Sequence, residues 1–132
     1  AEHVFEHLTY EEGIVAAKNC YDYMAVDGRM RVAVPDGYFP SQEYIEYVKP
    51  GGIGPGCDDH KVLYNYKLLS EVFKTANFKV SLLEYFDENH QFHKIDWSDD
   101  LGLIKRSLKH DERNKDDKIK YTSIILDAIK TK

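Results

Sequence analysis

Residues 121–129 read Tyr-Thr-Ser-Ile-Ile-Leu-Asp-Ala-Ile, and within them Ile124, Ile125 and Leu126 stand side by side. Successive side chains of a strand point to opposite faces, so three adjacent apolar residues predict a strand buried on both sides. Such a strand needs neighbours at its edges and cover above and below. Two further segments supply the neighbours. Met30, Val32 and Val34 alternate with Arg29, Arg31 and Ala33 ahead of Pro35-Asp36-Gly37, and Phe78, Val80 and Leu82 alternate with Lys79, Ser81 and Leu83 up to about Phe86. A helix precedes each. Thr9 and Glu12 form a capping box before Ile14, Ala17, Tyr21 and Met24, which recur at helical spacing, and Asp27-Gly28 is the expected stop. Asn65 and Asn77 bracket Leu68, Leu69, Val72, Phe73 and Ala76 as caps of a second helix. The order predicts an α/β sheet with strands at 29–35, 78–86 and 121–129, the last one antiparallel and inserted between the other two.

The remaining segments are less regular. Residues 36–64 contain Pro40, Pro50, Pro55 and the cluster Gly51-Gly52-Ile53-Gly54-Pro55-Gly56, which predicts a long loop with a flexible turn and a short helix over 41–48. Asp87 to Lys120 is polar and reads as an exposed connection. The 132 residues fit one domain, with 42% hydrophobic and 31% charged side chains, as in an ordinary globular chain. No apolar run approaches the ~18 residues that span a bilayer, so no membrane partner is expected. A formal charge of −5 argues against a nucleic-acid partner, which needs clustered Lys and Arg. Cys20 and Cys57 have no paired spacing and are expected as free thiols, in keeping with a cytoplasmic location.

Chemistry is densest at the start, in Glu2-His3-Val4-Phe5-Glu6-His7-Leu8. His3-x-x-Glu6-His7 matches a zinc-hydrolase pattern, in which two imidazoles on one helix share a zinc and the glutamate activates water. The capping box at Thr9 starts its helix after the pattern, however, leaving both histidines in the preceding turn, so no metal is expected there. His90, His93 and Asp96 are likewise read as solvated groups on a polar connection. Tyr38, Phe39, Tyr44 and Tyr47 fall outside core spacing and are candidates for the walls of a ligand pocket.

The opening segment, the Val26-Asp27-Gly28-Arg29-Met30 turn, the strand ending Val34-Pro35-Asp36-Gly37, the 51–56 glycine cluster, His60-Lys61, Tyr64-Asn65-Tyr66-Lys67 and the Thr122–Ile129 ending occur in an order that resembles class I S-adenosylmethionine-dependent methyltransferases of the type 11 kind. At residues 25–29 the chain has Asp for the family's Pro and Arg for its second Gly. The resemblance implies one partial domain over 1–132, the C-terminal half of a doubly wound, Rossmann-like sheet with an antiparallel last strand. It implies S-adenosylmethionine as cofactor, with Glu2 and His3 at the rim of its pocket. The family's glycine-rich loop and ribose-binding acid precede the Glu-His segment and have no counterpart here. The chain alone is therefore expected to bind cofactor weakly and to self-associate or belong to a longer protein. His3 or His60 is the expected catalytic base, while Asp36, Tyr38, Tyr44 and Tyr64 are expected to bind the acceptor, a small molecule or a sugar hydroxyl. A non-catalytic binding module with the same fold is the alternative from another class.

Overall fold

Four strands and three helices follow one another as α1 (Tyr10–Tyr23), β1 (Arg29–Pro35), α2 (Gln42–Val48), α3 (Tyr66–Thr75), β2 (Lys79–Phe86), β3 (Phe92–Lys94) and β4 (Ser123–Ile129) in the computed structural model, which describes residues 1–116 and 118–132. The strand order is β1-β4-β2-β3. β4 lies antiparallel between β1, where Pro35 faces Ser123 and Arg29 faces Ile129, and β2, where Lys79 faces Ile129 and Leu82 faces Leu126. The expected insertion of the last strand is therefore present, and β1 and β2 run in the same direction on either side of it. A bulge between Leu82 and Glu84 shifts the β2–β4 register. The short edge strand β3 pairs with β2 and was not anticipated from the sequence.

At the other edge the chain start lies parallel to β1. Glu2 bridges Ala33, the His3 amide donates to the Ala33 carbonyl at 2.8 Å, and the Ala33 amide donates to the Ala1 carbonyl at 2.9 Å. Parallel pairing requires a crossover, and α1 provides it between this isolated bridge and β1. Thr9 caps α1 by accepting the Glu12 amide, and Asn65 caps α3 by accepting the Leu68 amide; each such cap is worth about 1 kcal/mol. The stop of α1 differs from expectation. Asp27, at φ 65°, takes the left-handed turn, and Gly28 is required for space: a Cβ there would meet Met24 Cγ at 2.4 Å and the Ala25 carbonyl oxygen at 2.7 Å.

Ile124, Ile125 and Leu126 are fully buried, as their adjacency predicts. Ile124 and Leu126 face α1 and α3, where they join Val32, Val34, Leu69, Val72 and Phe73. Ile125 faces the opposite side with Ala33, Leu83, Ile104 and Trp97. Trp97, Ile104 and other described residues between 95 and 122 cover that side, so the connection, largely exposed as expected, is packed on the sheet at these points.

Polar anchors hold this layer down. Arg31 forms a buried bidentate pair with Asp127 at 2.8 and 2.9 Å and donates to the carbonyls of Ser98 and Gly102. Glu84, also buried, accepts from Trp97 Nε1, the Leu108 amide and Thr122 Oγ1. The Asn114 side chain donates to the carbonyls of Ser107, Leu108 and Tyr121 and accepts from the amides of Lys120 and Tyr121. Among the described residues no helix is long and apolar enough to cross a membrane.

Candidate functional site

The C-terminal end of β1 meets the N-terminal end of β4 beside the chain start, and a pocket of about 360 Å³ opens there. His3, Glu6, His7, Tyr47, Cys57, His60, Arg106, Arg113 and Tyr121 line it. Backbone geometry aims the first three inward. His3 turns the chain off β1 with φ 54°, and a single 3-10 turn follows over Phe5–His7. Phe5 anchors that turn in the core against Phe73, at 5.1 Å between ring centroids, which leaves Glu6 on the pocket side. The Lys61 amide donates to the Glu6 carbonyl at 2.7 Å and ties the loop carrying His60 to the same turn.

Hydrogen-bond partners fix the imidazole tautomers. Ser123 Oγ donates to the Arg106 carbonyl at 2.8 Å, so its contact with His3 Nε2, also 2.8 Å, takes a proton from the ring. His3 therefore carries its proton on Nε2, and its Nδ1 lone pair faces Glu6 Oε2 at 3.5 Å. His60 Nδ1 sits 2.6 Å from the Val48 carbonyl, which can only accept. His60 is thus protonated on Nδ1, and its Nε2 lone pair lies 3.9 Å from the same Glu6 oxygen. His7 Nδ1 is 3.2 Å from Asp59 Oδ2, which likewise leaves its Nε2 free.

Glu6 is almost fully buried, and among the described residues neither carboxylate oxygen has a hydrogen-bond partner. Burial pushes its carboxyl up to about 7. Burial, with a smaller contribution from Arg106, holds the His3 imidazole down at about 3. These shifts favour the neutral form of both groups, so the His3–Glu6 contact is not an ion pair at neutral pH. Burial also raises the thiol of Cys57, which is a free cysteine.

Of the residues expected to act, His3 and His60 line the pocket and five others do not. Glu2 spends its carboxylate on the amides of Lys105 and Arg106. Asp36 is buried and accepts the amides of Tyr38 and Phe86, tying the end of β1 to the end of β2. Tyr44 stacks on Phe39 at 4.4 Å and accepts the Asp36 amide. Tyr38 packs outside the pocket against Tyr66 and His90. Tyr64 is fully buried beside Gly13 of α1. The zinc-hydrolase pattern also lacks its premise, because residues 5–7 form one 3-10 turn and no α-helix presents His3 and His7 on a common face.

Arg106, Arg113 and Tyr121 were not foreseen. Arg113 lies over the Tyr121 ring at 3.6 Å and is held by Asp111. Both arginines come from the charged run 105–116, which has no signal distinguishing it from a solvated surface. Tyr47 was foreseen, because its place outside core spacing marked it as a wall residue. With two guanidinium groups, three imidazoles and one carboxyl, the pocket can bind an anionic or hydroxyl-bearing ligand and accept a proton from it. The chain matches no protein-family model, and no curated protein or solved structure is significantly similar to it.

Proposed function

We propose that these residues form the acceptor side of an S-adenosylmethionine-dependent methyltransferase, within a longer enzyme, acting on a small-molecule or sugar hydroxyl. The observation that carries the reading is the path of the chain: a segment ending parallel to β1, a helical crossover, two strands running the same way, and a final antiparallel strand between them. That path suits the C-terminal half of a doubly wound sheet, whose ligands bind at the carboxyl ends of its strands. The pocket lies at the carboxyl end of β1.

The described residues do not themselves fit the cofactor. Glu2 is occupied by two backbone amides and His3 by Ser123, which leaves neither free for the ribose or the amino-acid end. What this chain supplies is positioning of the acceptor and, at the Glu6–His60 pair, removal of its proton; together these account for most of what in-line methyl transfer asks of a protein.

The test uses the gene product that contains these residues, labelled S-adenosylmethionine, and a panel of small hydroxyl and sugar acceptors. Methyl transfer is expected, and His60→Ala should lower turnover while leaving cofactor affinity unchanged. A full-length product that neither binds S-adenosylmethionine nor labels any acceptor overturns the reading.

A further inference from the structure

Ligand-capable atoms of two imidazoles and one carboxyl converge in the pocket. His60 Nδ1 is committed to the Val48 carbonyl and His7 Nδ1 to Asp59, so each ring keeps an unprotonated Nε2, and that of His60 lies 3.9 Å from the Glu6 carboxylate. One ligand-capable atom from each of Glu6, His7 and His60 lies within 4.8 Å of the others. Glu6 is buried and, among the described residues, unpartnered. An isolated buried carboxylate facing imidazole nitrogens is costly unless a cation or a proton sits between them.

We propose that Glu6, His7 and His60 bind a divalent transition-metal ion. Two imidazoles and one carboxylate are a borderline donor set that suits zinc, with at least one coordination position left for an exogenous ligand. The outer contacts match this role. A metal-bound histidine characteristically donates its other N–H to a carbonyl or carboxylate, which fixes the tautomer and the ring direction. Val48 provides the carbonyl for His60, and Asp59 provides the carboxylate for His7. This is a different site from the His3-x-x-Glu6-His7 pattern. His3 is withdrawn to Ser123, and His60, reached only through the fold, completes the set.

The open position would face the pocket that Arg106 and Tyr121 also line, where an acceptor oxygen could bind and have its proton made more acidic. That last role rests on the methyl-transfer reading and, with an ion bound, takes the place of direct proton removal by Glu6 and His60, whose lone pairs are then engaged; the metal site itself does not rest on that reading.

The full chain, stripped with a chelator, is titrated with Co²⁺ while visible d–d absorption is recorded, and the bound ion is then displaced with Zn²⁺. One ion per chain is expected. His7→Ala and Glu6→Gln should each weaken binding by about a hundredfold or more, and the exposed Asp59→Ala by about ten- to a hundredfold, with unchanged far-UV dichroism. His93→Ala, on the separate His93–Asp87 pair, serves as control and should change nothing. Folded protein without Co²⁺ bands at one equivalent overturns the site. So do bands that persist in His7→Ala or disappear in His93→Ala. No S-adenosylmethionine enters this titration, so its failure leaves the methyl-transfer reading standing, and failure of labelled transfer leaves the metal site standing.

Discussion

Replacing Glu84 by alanine tests whether residues 95–122 belong to the fold or merely rest on it. The carboxylate is buried and accepts three hydrogen bonds: from Trp97 Nε1 at 2.8 Å, the Leu108 amide at 3.0 Å and Thr122 Oγ1 at 2.7 Å. A buried donor left without its acceptor costs about 1–3 kcal/mol. Thr122 is fully buried and bears most of that cost, its other acceptor being the Ser123 carbonyl at 3.4 Å, whereas Trp97 and Leu108 are half-buried and can recover part of theirs from water. Loss of the carboxylate's own desolvation penalty offsets some of the total. A net loss of about 3 kcal/mol is expected, a substantial fraction of the stability of a domain this size.

Urea unfolding is followed by far-UV dichroism and by the fluorescence of Trp97, the only tryptophan. In Glu84→Ala the emission should shift to the red before the main transition, because the layer loosens first. Glu84→Gln keeps one accepting oxygen but turns an NH2 toward a donor, and should fall between wild type and alanine. A loss below about 0.5 kcal/mol with unaltered Trp97 emission would refute the reasoning and leave the anchoring to the Arg31–Asp127 pair and the other polar contacts of the layer.

Asp36 should show the opposite pH dependence from an ordinary surface carboxylate. Burial raises its carboxyl from 3.8 to about 6 in the folded state, so its contribution is complete below pH 3.8 and is lost as pH rises through 6. The stability difference between wild type and Asp36→Ala should shrink by about 3 kcal/mol between pH 3.5 and pH 7.5 in urea titrations; growth over that range would mean that the bonds from Tyr38 and Phe86 outweigh burial. Tyr64→Phe removes a buried hydroxyl that has no partner among the described residues, and is expected to be neutral or stabilising by about 1 kcal/mol, whereas a Tm several degrees lower would reveal a hidden partner. Gly28→Ala should cost about 1–3 kcal/mol through the clash with Met24 and the Ala25 carbonyl, and an unchanged Tm would remove the spatial argument for glycine there.

The helices and three of the strands were legible because their signals are local. Thr9 and Asn65 are side chains that cap their own helices, and the adjacency of Ile124, Ile125 and Leu126 is itself the mark of a strand covered twice. The layer over 95–122 was illegible for the opposite reason. Its anchors to the sheet are Arg31, Glu84 and Asp127, and hydrophobic periodicity cannot see a polar group whose partners lie far along the chain. The same blindness affected the site. Asp36, Tyr38, Tyr44 and Tyr64 have the chemistry of pocket residues but spend it inside the fold or away from the pocket, while Glu6, marked in the sequence only by the zinc-hydrolase pattern, lies at the centre.

These polar anchors also explain how β4 finds its register. A strand with three adjacent apolar residues can slip by one position and still present apolar side chains to both faces, so Ile124–Leu126 specify burial without specifying alignment. The residues on either side of them supply the alignment. In the observed register Asp127 faces Arg31, and Ser123 lies at the end of β1 within reach of His3. A slip of one residue would turn Asp127 toward the apolar side formed with α1 and α3, where a carboxylate without a partner costs several kcal/mol. It would also withdraw Ser123 from His3 and release the Nε2 proton that fixes the tautomer. The buried pair thus sets the alignment of the sheet, and through Ser123 that alignment determines which nitrogen of His3 faces Glu6. The His3 tautomer and the sheet register are consequences of the same few polar contacts on β4.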